Sequence, residues 1–140
     1  MPAVPAHHDL RSIWLFEGCS QVELRKIRKV VEEVTVEADT LLVAEGEPGL
    51  LFFVVVSGEA AVVHGERRTA TLGPGQFFGE LALLDNEPRY ASVVSVTDME
   101  LLVLRRRDFQ RMLQTAPGLT RKLLTALAGR LRASNADAFD

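Results

Sequence analysis

Apolar positions in the first quarter of the chain recur with the period of a helix. Between about residues 9 and 33 they fall three or four residues apart, which predicts amphipathic helical structure. Ser20 stands three residues before Glu23, and this capping-box pattern lets each side chain accept a hydrogen bond from the other residue's backbone N–H. We therefore predict a helix over about residues 21–32.

From residue 34 to residue 104 the pattern changes to short apolar stretches rich in Val, Leu, Phe and Thr. Gly, Pro or acidic residues separate these stretches at 45–49, 57–58, 64–66, 73–75 and 85–88. Short strands at such spacing are typical of an antiparallel sandwich or barrel. The stretch 51–56 is apolar on both faces, as a strand covered on both sides would be. The predicted fold class is α+β, an antiparallel β-roll or jelly-roll barrel flanked by N-terminal and C-terminal helices.

Helical spacing returns after residue 104. Asp108 is predicted to cap a short helix that runs through Leu113, and the Ala-Pro-Gly sequence at 116–118 to interrupt it, because proline disfavours helical geometry in the preceding residue. A last, amphipathic helix then follows, with basic residues such as Arg130 largely off its apolar stripe. Five leucines form that stripe: Leu119, Leu123, Leu124, Leu127 and Leu131.

Composition restricts the cellular setting. The longest unbroken apolar run, residues 50–56, is seven residues long, whereas a membrane-spanning helix needs about 20. The N-terminus lacks the basic stretch and apolar core of a secretory signal. With Cys19 alone, no internal disulfide and no cysteine-based zinc site can form. We expect one cytoplasmic domain that does not contact a membrane.

The net charge of −3 is unevenly distributed. Residues 1–100 hold 8 basic and 16 acidic side chains, and residues 101–140 hold 8 basic and 3 acidic ones. A basic C-terminal part is most often a solvated helix face, and it can also contact nucleic acid or an acidic partner.

The stretch 78–93, with the sequence FGELALLDNEPRYASV, carries the candidate chemistry. After Gly79, Glu80 can open a short helix whose free backbone N–H groups suit an anion. Arg89 follows nine residues later, and its planar fork of donors fits a phosphate in a bidentate way. A carboxylate for ribose hydroxyls and an arginine for phosphate are the groups that a sugar phosphate needs.

This stretch resembles the phosphate-binding cassette of the cyclic nucleotide-binding domain family. The family pattern runs Phe-Gly-Glu-aliphatic-Ala/Ser-Leu-aliphatic, three variable residues, Pro-Arg, one variable residue, Ala-Ser/Thr-Val, and every fixed position matches. The resemblance continues outside the cassette, at LFEG (15–18), the glycine turn at 46–49, FFVVVSG (52–58) and GPGQFFGE (73–80).

The resemblance implies a single cyclic nucleotide-binding domain over residues 1–140. It is similar to the sensor domain of bacterial catabolite-activator-type regulators, without their helix-turn-helix. Its expected parts are N-terminal helices in 1–33, the β-roll in 34–104 with the cassette at 78–93, and C-terminal helices in 105–134.

The resemblance also implies a role for each matching residue of the cassette. Glu80 would bind the ribose 2′-hydroxyl and Arg89 the cyclic phosphate, with Gly79 allowing close approach. The backbone amides of Leu81, Ala82 and Tyr90 would complete the phosphate site. The residues expected to form the apolar wall and its support are Phe78, Leu83, Leu84, Ala91 and Val93.

Tyr90 departs from the family pattern, which usually has Ala, Ser or Thr after the arginine. The Tyr90 ring has either to point out of the pocket or to alter the purine site. In members that prefer cGMP a threonine hydroxyl at this position contacts guanine. Its absence favours cAMP as the ligand and leaves cGMP as the second choice.

The resemblance implies a sensor that binds the nucleotide and relays its occupancy, through movement of the C-terminal helices, to an unidentified protein effector or a fused one. A ligand-independent interaction or dimerisation module of the same fold is an open alternative, as is the sensor part of a transcription regulator. The leucine stripe is equally compatible with a monomer and with a homodimer through the last helix. The sequence contains no recognisable DNA-reading element, so direct DNA binding is not expected.

We expect no enzyme and assign no catalytic residue. Ser92 lies near Arg89, but the cassette holds no histidine that could activate it. Three scattered histidines, His7, His8 and His64, do not make a metal site. Besides the nucleotide no cofactor is expected. A structural ion pair between Glu80 and Arg89 is the alternative to their roles in binding.

Overall fold

A computed structural model describes residues 10–134, in which eight strands form two four-stranded sheets between helical ends. The helical elements are two 3-10 helices, Leu10–Ser12 and Trp14–Phe16, and the helices α1 (Gln21–Val30), α2 (Glu80–Asp85), α3 (Arg106–Thr115) and α4 (Pro117–Ser134). The strands are β1 (Glu32–Val36), β2 (Leu41–Val43), β3 (Leu51–Ser57), β4 (Ala60–His64), β5 (Arg67–Leu72), β6 (Phe77–Phe78), β7 (Ser92–Ser95) and β8 (Met99–Arg105).

Both sheets are antiparallel. The strand order is β1-β8-β3-β6 in the first sheet and β2-β7-β4-β5 in the second. The predicted α+β class, an antiparallel roll flanked by helices, is confirmed.

The central strands β3 and β8 divide the apolar core into two clusters. On β3, Phe52 and Val54 pack against the terminal helices, and Phe53 and Val55 pack between the two sheets. This division follows from the strand geometry, because successive side chains point to opposite faces. Strand β8 divides in the same way, with Leu102 and Leu104 on the helix side and Leu101 and Val103 on the sheet side. The prediction that 51–56 is covered on both faces is confirmed.

Helix α1 has the predicted N-terminal cap and an earlier end than predicted. The Ser20 hydroxyl accepts from the Glu23 amide at 3.1 Å, and Glu23 Oε1 accepts from the Ser20 amide at 2.9 Å. The helix ends at Val30 because Val31 is extended and Glu32 pairs with Val103 on β8. Residues 31 and 32, predicted as helical, therefore lie outside α1, and Glu32 is already the first residue of β1.

Helix α3 starts earlier than predicted. Arg105 occupies the N-cap position with an extended backbone and without a side-chain capping bond. The prediction that Asp108 caps this helix is wrong, since Asp108 lies inside the first turn, where the helix dipole favours a carboxylate. The predicted interruption at 116–118 is confirmed, because Ala116 leaves helical geometry and α4 begins at Pro117.

The predicted leucine stripe of the last helix is buried only in its first half. Leu119 and Leu123 are buried, whereas Leu124 and Leu131 are 60% and 63% exposed. Each residue turns a helix by about 100°, so Leu124 points well away from Leu123. The other four leucines follow one another at intervals of four residues, as predicted, and the stripe becomes exposed towards its C-terminal end.

Neither α4 nor any other helix within residues 10–134 is long and apolar enough to cross a membrane. His7 and His8 lie outside the described residues, and within 10–134 no three His, Cys, Asp or Glu side chains come together as metal ligands.

Candidate functional site

A cavity of about 720 Å³ lies between the second sheet, the 78–93 cassette and helix α4. Its walls include Val62 and Leu72 on the sheet side and Leu127 and Leu131 on α4. All seven residues predicted to bind a ligand line this cavity: Gly79, Glu80, Leu81, Ala82, Arg89, Tyr90 and Ala91. The fold thus brings residues from both ends of the cassette to one space.

Backbone carbonyl groups of the roll hold the Arg89 side chain. Its Nη1 donates to the Gly79 carbonyl and its Nη2 to the Leu51 carbonyl, each at 2.7 Å, and the residue is 8% exposed. Burial lowers the pKa of the guanidinium, and the Glu80 charge acts in the opposite direction. These hydrogen bonds fix the plane of the group and leave further N–H donors on it for an anion.

The backbone of Arg89 is held by the loop that follows β2. Its amide donates to the Glu47 carbonyl and its carbonyl accepts from the Gly46 amide, both at 2.8 Å. The same loop lies directly on α2, since a Cβ atom added to Gly49 would stand 2.5 Å from the Ala82 Cβ. Main chain and side chain of Arg89 are therefore both anchored within the roll.

Gly79 makes the position of Arg89 possible. Its φ of +94° lies in the left-handed region, and a Cβ atom there would stand 2.7 Å from the Leu51 carbonyl oxygen and 2.8 Å from Arg89 Nη1. Only glycine adopts this backbone conformation readily and leaves that space open.

Glu80, the first residue of α2, is 3% exposed and forms an ion pair with helix α4. Arg130 Nη1 donates to Glu80 Oε1 at 2.6 Å, and Arg130 Nη2 donates to the Phe77 carbonyl at 2.7 Å. The Arg130 guanidinium also lies 4.4 Å from the centroid of the Phe77 ring. Burial raises the pKa of the Glu80 carboxyl, and the positive charge of Arg130 counteracts part of that rise. Glu80 and Arg89 do not form the structural ion pair considered as an alternative, because each has a different partner.

Arg130 is the site residue that the sequence interpretation missed, since basic residues of the last helix were predicted to lie largely off its apolar stripe. Arg130 follows Leu123 by seven residues and Leu127 by three, and both spacings keep a side chain on the same helix face. With Leu123 fully buried and Leu127 half-buried, that spacing was the available signal.

Tyr90 lies at the edge of the cavity with 59% of its surface exposed. Its carbonyl accepts a hydrogen bond of 2.6 Å from Nδ1 of His64, and the two ring centroids are 6.3 Å apart. Of the two positions expected for the Tyr90 ring, this arrangement corresponds to the outward one.

The apolar wall is smaller than expected. Phe78, Ala91 and Val93 line the cavity. Leu83 instead packs in the cluster with the terminal helices, and Leu84 is exposed.

Comparison with known proteins gives the family. The model of the family described as "Cyclic nucleotide-binding domain" matches residues 33–116. Among curated proteins, the chain is 35% identical over 113 residues to a cAMP-dependent protein kinase regulatory subunit of Hypocrea atroviridis, covering 81% of this chain and 24% of that protein. It is 41% identical over 93 residues to the cyclic AMP receptor protein of Thermus thermophilus, covering 63% of this chain and 43% of that protein.

The fold of this chain is also similar to that of a solved structure. The catabolite activator protein of Thermus thermophilus superimposes with a TM-score of 0.77 at 32% identity, covering 89% of this chain and 61% of that chain. The chain spans about a quarter of the length of the kinase regulatory subunit and less than half of the receptor protein.

Proposed function

Because this chain belongs to the cyclic nucleotide-binding domain family, we propose that it binds a cyclic purine nucleotide, cAMP in first place and cGMP in second. One observation carries the proposal: a buried guanidinium, Arg89, and a buried carboxylate, Glu80, line the same cavity. Relatives named as a cAMP-dependent kinase subunit and a cyclic AMP receptor support cAMP. The binding needs neither a catalytic residue nor a cofactor besides the nucleotide.

In the proposed complex the cyclic phosphate binds Arg89 and the backbone amides of Leu81, Ala82 and Tyr90. The ribose 2′-hydroxyl donates to Glu80, and Gly79 leaves room for the sugar phosphate. Ala91 and the apolar side chains of the second sheet contact the purine. A carboxylate accepts hydrogen bonds from a hydroxyl, and a fixed guanidinium recognises a phosphate in a bidentate way, so each group has a partner of matching chemistry.

Titration calorimetry tests this proposal. The purified chain is first unfolded and refolded to remove any carried-over nucleotide, and is then titrated with cAMP, cGMP and 5′-AMP. We expect binding in the micromolar range or tighter for a cyclic nucleotide and much weaker binding for 5′-AMP. Absence of heat and of a thermal shift with all three nucleotides would refute the proposal and direct attention to the bulky Tyr90.

We further propose that α4 relays occupancy of the site to an effector protein. In this structure Arg130 of α4 donates a hydrogen bond to the Glu80 carboxylate, the group that would accept from the ribose hydroxyl. A ribose hydroxyl at Glu80 therefore changes the bond that ties α4 to the cassette. The helix shifts by as much as the nucleotide's affinities for the two positions of α4 differ.

Trp14 provides a built-in reporter of this shift, since it is the single tryptophan of the chain. Lys122 on α4 donates to the Trp14 carbonyl at 2.8 Å and lies 4.8 Å from the centroid of its ring. We expect cAMP to change the tryptophan emission of the wild type, and a smaller change in Arg130→Ala at saturating nucleotide. Arg121→Ala, at an exposed position of the same helix, is the matched control. An equal emission change in the wild type and Arg130→Ala would remove Arg130 from the relay.

A second candidate function is a ligand-independent interaction module that pairs through α4. It is favoured by the exposure of Leu124 and Leu131, seven residues apart on one helix face. Sedimentation velocity with and without cAMP distinguishes the two functions. A dimer that forms equally in both conditions and is lost in Leu124→Ser would favour the interaction module, whether it acts alone or within a transcription regulator.

A further inference from the structure

A second cavity, of about 310 Å³, lies between helices α1 and α3. Its floor is apolar and consists of Ile27 and Val30 from α1 with Met112 and Ala116 from the end of α3. We call this cavity the α1–α3 groove. Within residues 10–134, no residue lines both the α1–α3 groove and the cassette cavity. The groove is therefore a separate surface with its own chemistry.

The two helices that form the α1–α3 groove are basic, and the rim of the groove carries three cations and two carboxylates. Helices α1 and α3 together carry seven basic and two acidic residues, in a chain whose net charge is −3. Three exposed cations line the groove: Lys26, Lys29 and Arg111. A concave apolar surface with a cationic rim attracts an acidic partner and can bury its apolar side chains.

The apolar floor argues against a nucleic acid as the occupant, and two acidic residues, Glu23 and Asp108, also line the groove. Glu23 lies at the groove with one carboxylate oxygen engaged in the helix cap, and Asp108 lies in the first turn of α3. These two carboxylates restrict where an acidic group can bind to the side of the three cations, and the apolar floor offers a phosphate backbone no contact. An amphipathic helix fits better, because apolar side chains at i, i+3, i+4 and i+7 can enter a groove while its acidic flanks face the cations.

We propose that the α1–α3 groove binds an acidic amphipathic helix of a partner protein. The proposal does not depend on nucleotide binding, since it uses other residues and a surface present in the chain by itself. The groove also adjoins the helix proposed to relay occupancy, because α3 packs against α4. A partner bound in the groove would thus contact the element next to α4.

Fluorescence anisotropy with designed peptides tests the proposal on the full chain. The probe is a labelled helical peptide of about 15 residues, with leucines at i, i+3, i+4 and i+7 and glutamates on both flanks. One comparison peptide has serines in place of the leucines, and another has lysines in place of the glutamates. We expect saturable binding of the acidic leucine peptide and at least about tenfold weaker binding of both comparison peptides.

Variants of the chain locate the binding. The double change Lys29→Glu and Arg111→Glu should weaken binding of the acidic leucine peptide by about tenfold or more, because it reverses two rim charges. Val30→Ser at the half-exposed floor should weaken it too, and thermal unfolding checks that this variant folds. Arg67→Glu, on strand β5 of the second sheet and outside the groove, is the matched control. This variant should bind the acidic leucine peptide as the wild type does.

Several results would overturn the proposal. Equal affinity of the wild type and the charge-reversed variant would place the peptide elsewhere. Equal affinity for the leucine and serine peptides would reduce the groove to a charged surface, and tighter binding of duplex DNA or anionic vesicles would assign it to those partners. Self-association that Val30→Ser abolishes would identify a second copy of this chain as the occupant.

Discussion

The two buried charges of the cassette are held by different parts of the molecule. Arg89 donates to the carbonyls of Gly79 and Leu51, which belong to the β-roll. Glu80 pairs with Arg130, which belongs to the last helix. The two side chains line one cavity, yet the first is fixed as soon as the roll is folded and the second acquires its partner only when α4 docks.

In the proposed complex, this difference would separate recognition from response within one site. The carbonyl partners of Arg89 belong to the folded roll, so the proposed phosphate side of the site is expected to stay constant. A side chain on a terminal helix can move away, so the proposed ribose side is expected to depend on where α4 lies. The following experiments break one anchor at a time.

Removal of the Arg89 guanidinium should have the largest effect. Arg89→Ala takes away the charged partner of the phosphate, and we expect a loss of roughly 2–5 kcal/mol in cyclic nucleotide binding, the range for truncation of a buried charged partner. Titration calorimetry with cAMP measures the loss. Arg67→Ala, at an exposed arginine of β5, serves as the control and should bind as the wild type does. Unchanged affinity in Arg89→Ala would disprove the phosphate assignment.

Gly79→Ala should disturb the anchor of Arg89 while keeping the arginine. The methyl group meets the Leu51 carbonyl and Arg89 Nη1, and the backbone has a positive φ, so we expect a loss of about 1–3 kcal/mol in the free energy of unfolding. Urea denaturation measures it, and cAMP affinity should fall as well. Ser20→Ala removes a helix cap outside the site, at about 1 kcal/mol. Ser20→Ala should lower the free energy of unfolding and leave the cAMP affinity unchanged. If its cAMP affinity also falls, the lower stability of Gly79→Ala would be enough to explain its weaker binding.

Arg130→Ala should break the other anchor. It leaves the buried Glu80 carboxylate without its ion-pair partner, and because Arg130 itself is partly exposed we expect a loss of about 1–2 kcal/mol in unfolding free energy. Hydrogen exchange of the α4 amides should become faster, while that of the amides around Arg89 should stay the same. Faster exchange at both ends of the cassette would contradict the separation of the two anchors.

The pH dependence of stability should report the burial of Glu80. Its pKa in the folded chain lies above the ordinary value of 4.5, chiefly because of burial, so the folded state binds this proton more tightly than the unfolded state. The contribution of Glu80 to stability is therefore complete below about pH 4.5 and is lost as the pH rises through the raised pKa.

Urea denaturation over this pH range measures the effect as a difference between the wild type and Glu80→Gln. The stability of the wild type relative to Glu80→Gln should decline with rising pH, and in an Arg130→Ala background the decline should extend to higher pH, since Arg130 holds the pKa down. A difference that is constant with pH would mean that the carboxyl group is not desolvated.

Sequence reasoning succeeded where the determining contacts are local. The cap of α1 depends on Ser20 and Glu23, three residues apart, and the break before Pro117 depends on adjacent residues. In the cassette, the residues themselves indicated Glu80 and Arg89, and the resemblance to the family pattern named the other five candidate residues that line the cavity.

Sequence reasoning failed where a distant partner decides. Residues 31–33 continue a helical pattern, but Glu32 pairs with Val103 in β8, and that partner is not apparent from the local pattern. The Arg130 side chain looked like part of a solvated face, yet it reaches Glu80, 50 positions earlier in the chain. Local polarity is the same for a solvated and an ion-paired arginine, so only the spacing of Arg130 from the buried leucines of α4 distinguished it in the sequence.

The shared wall formed by β3 and β8 has a consequence for how the molecule opens. Successive residues of β3 and β8 belong alternately to one apolar cluster and to the other. Separating either strand from one cluster therefore also disturbs its packing in the other cluster. The amides of β3 and β8 should therefore exchange their hydrogens only through global unfolding, whereas those of α4 exchange through smaller openings. This expected hierarchy would let α4 move, as proposed for nucleotide binding, while the rest of the chain keeps a single cooperative transition.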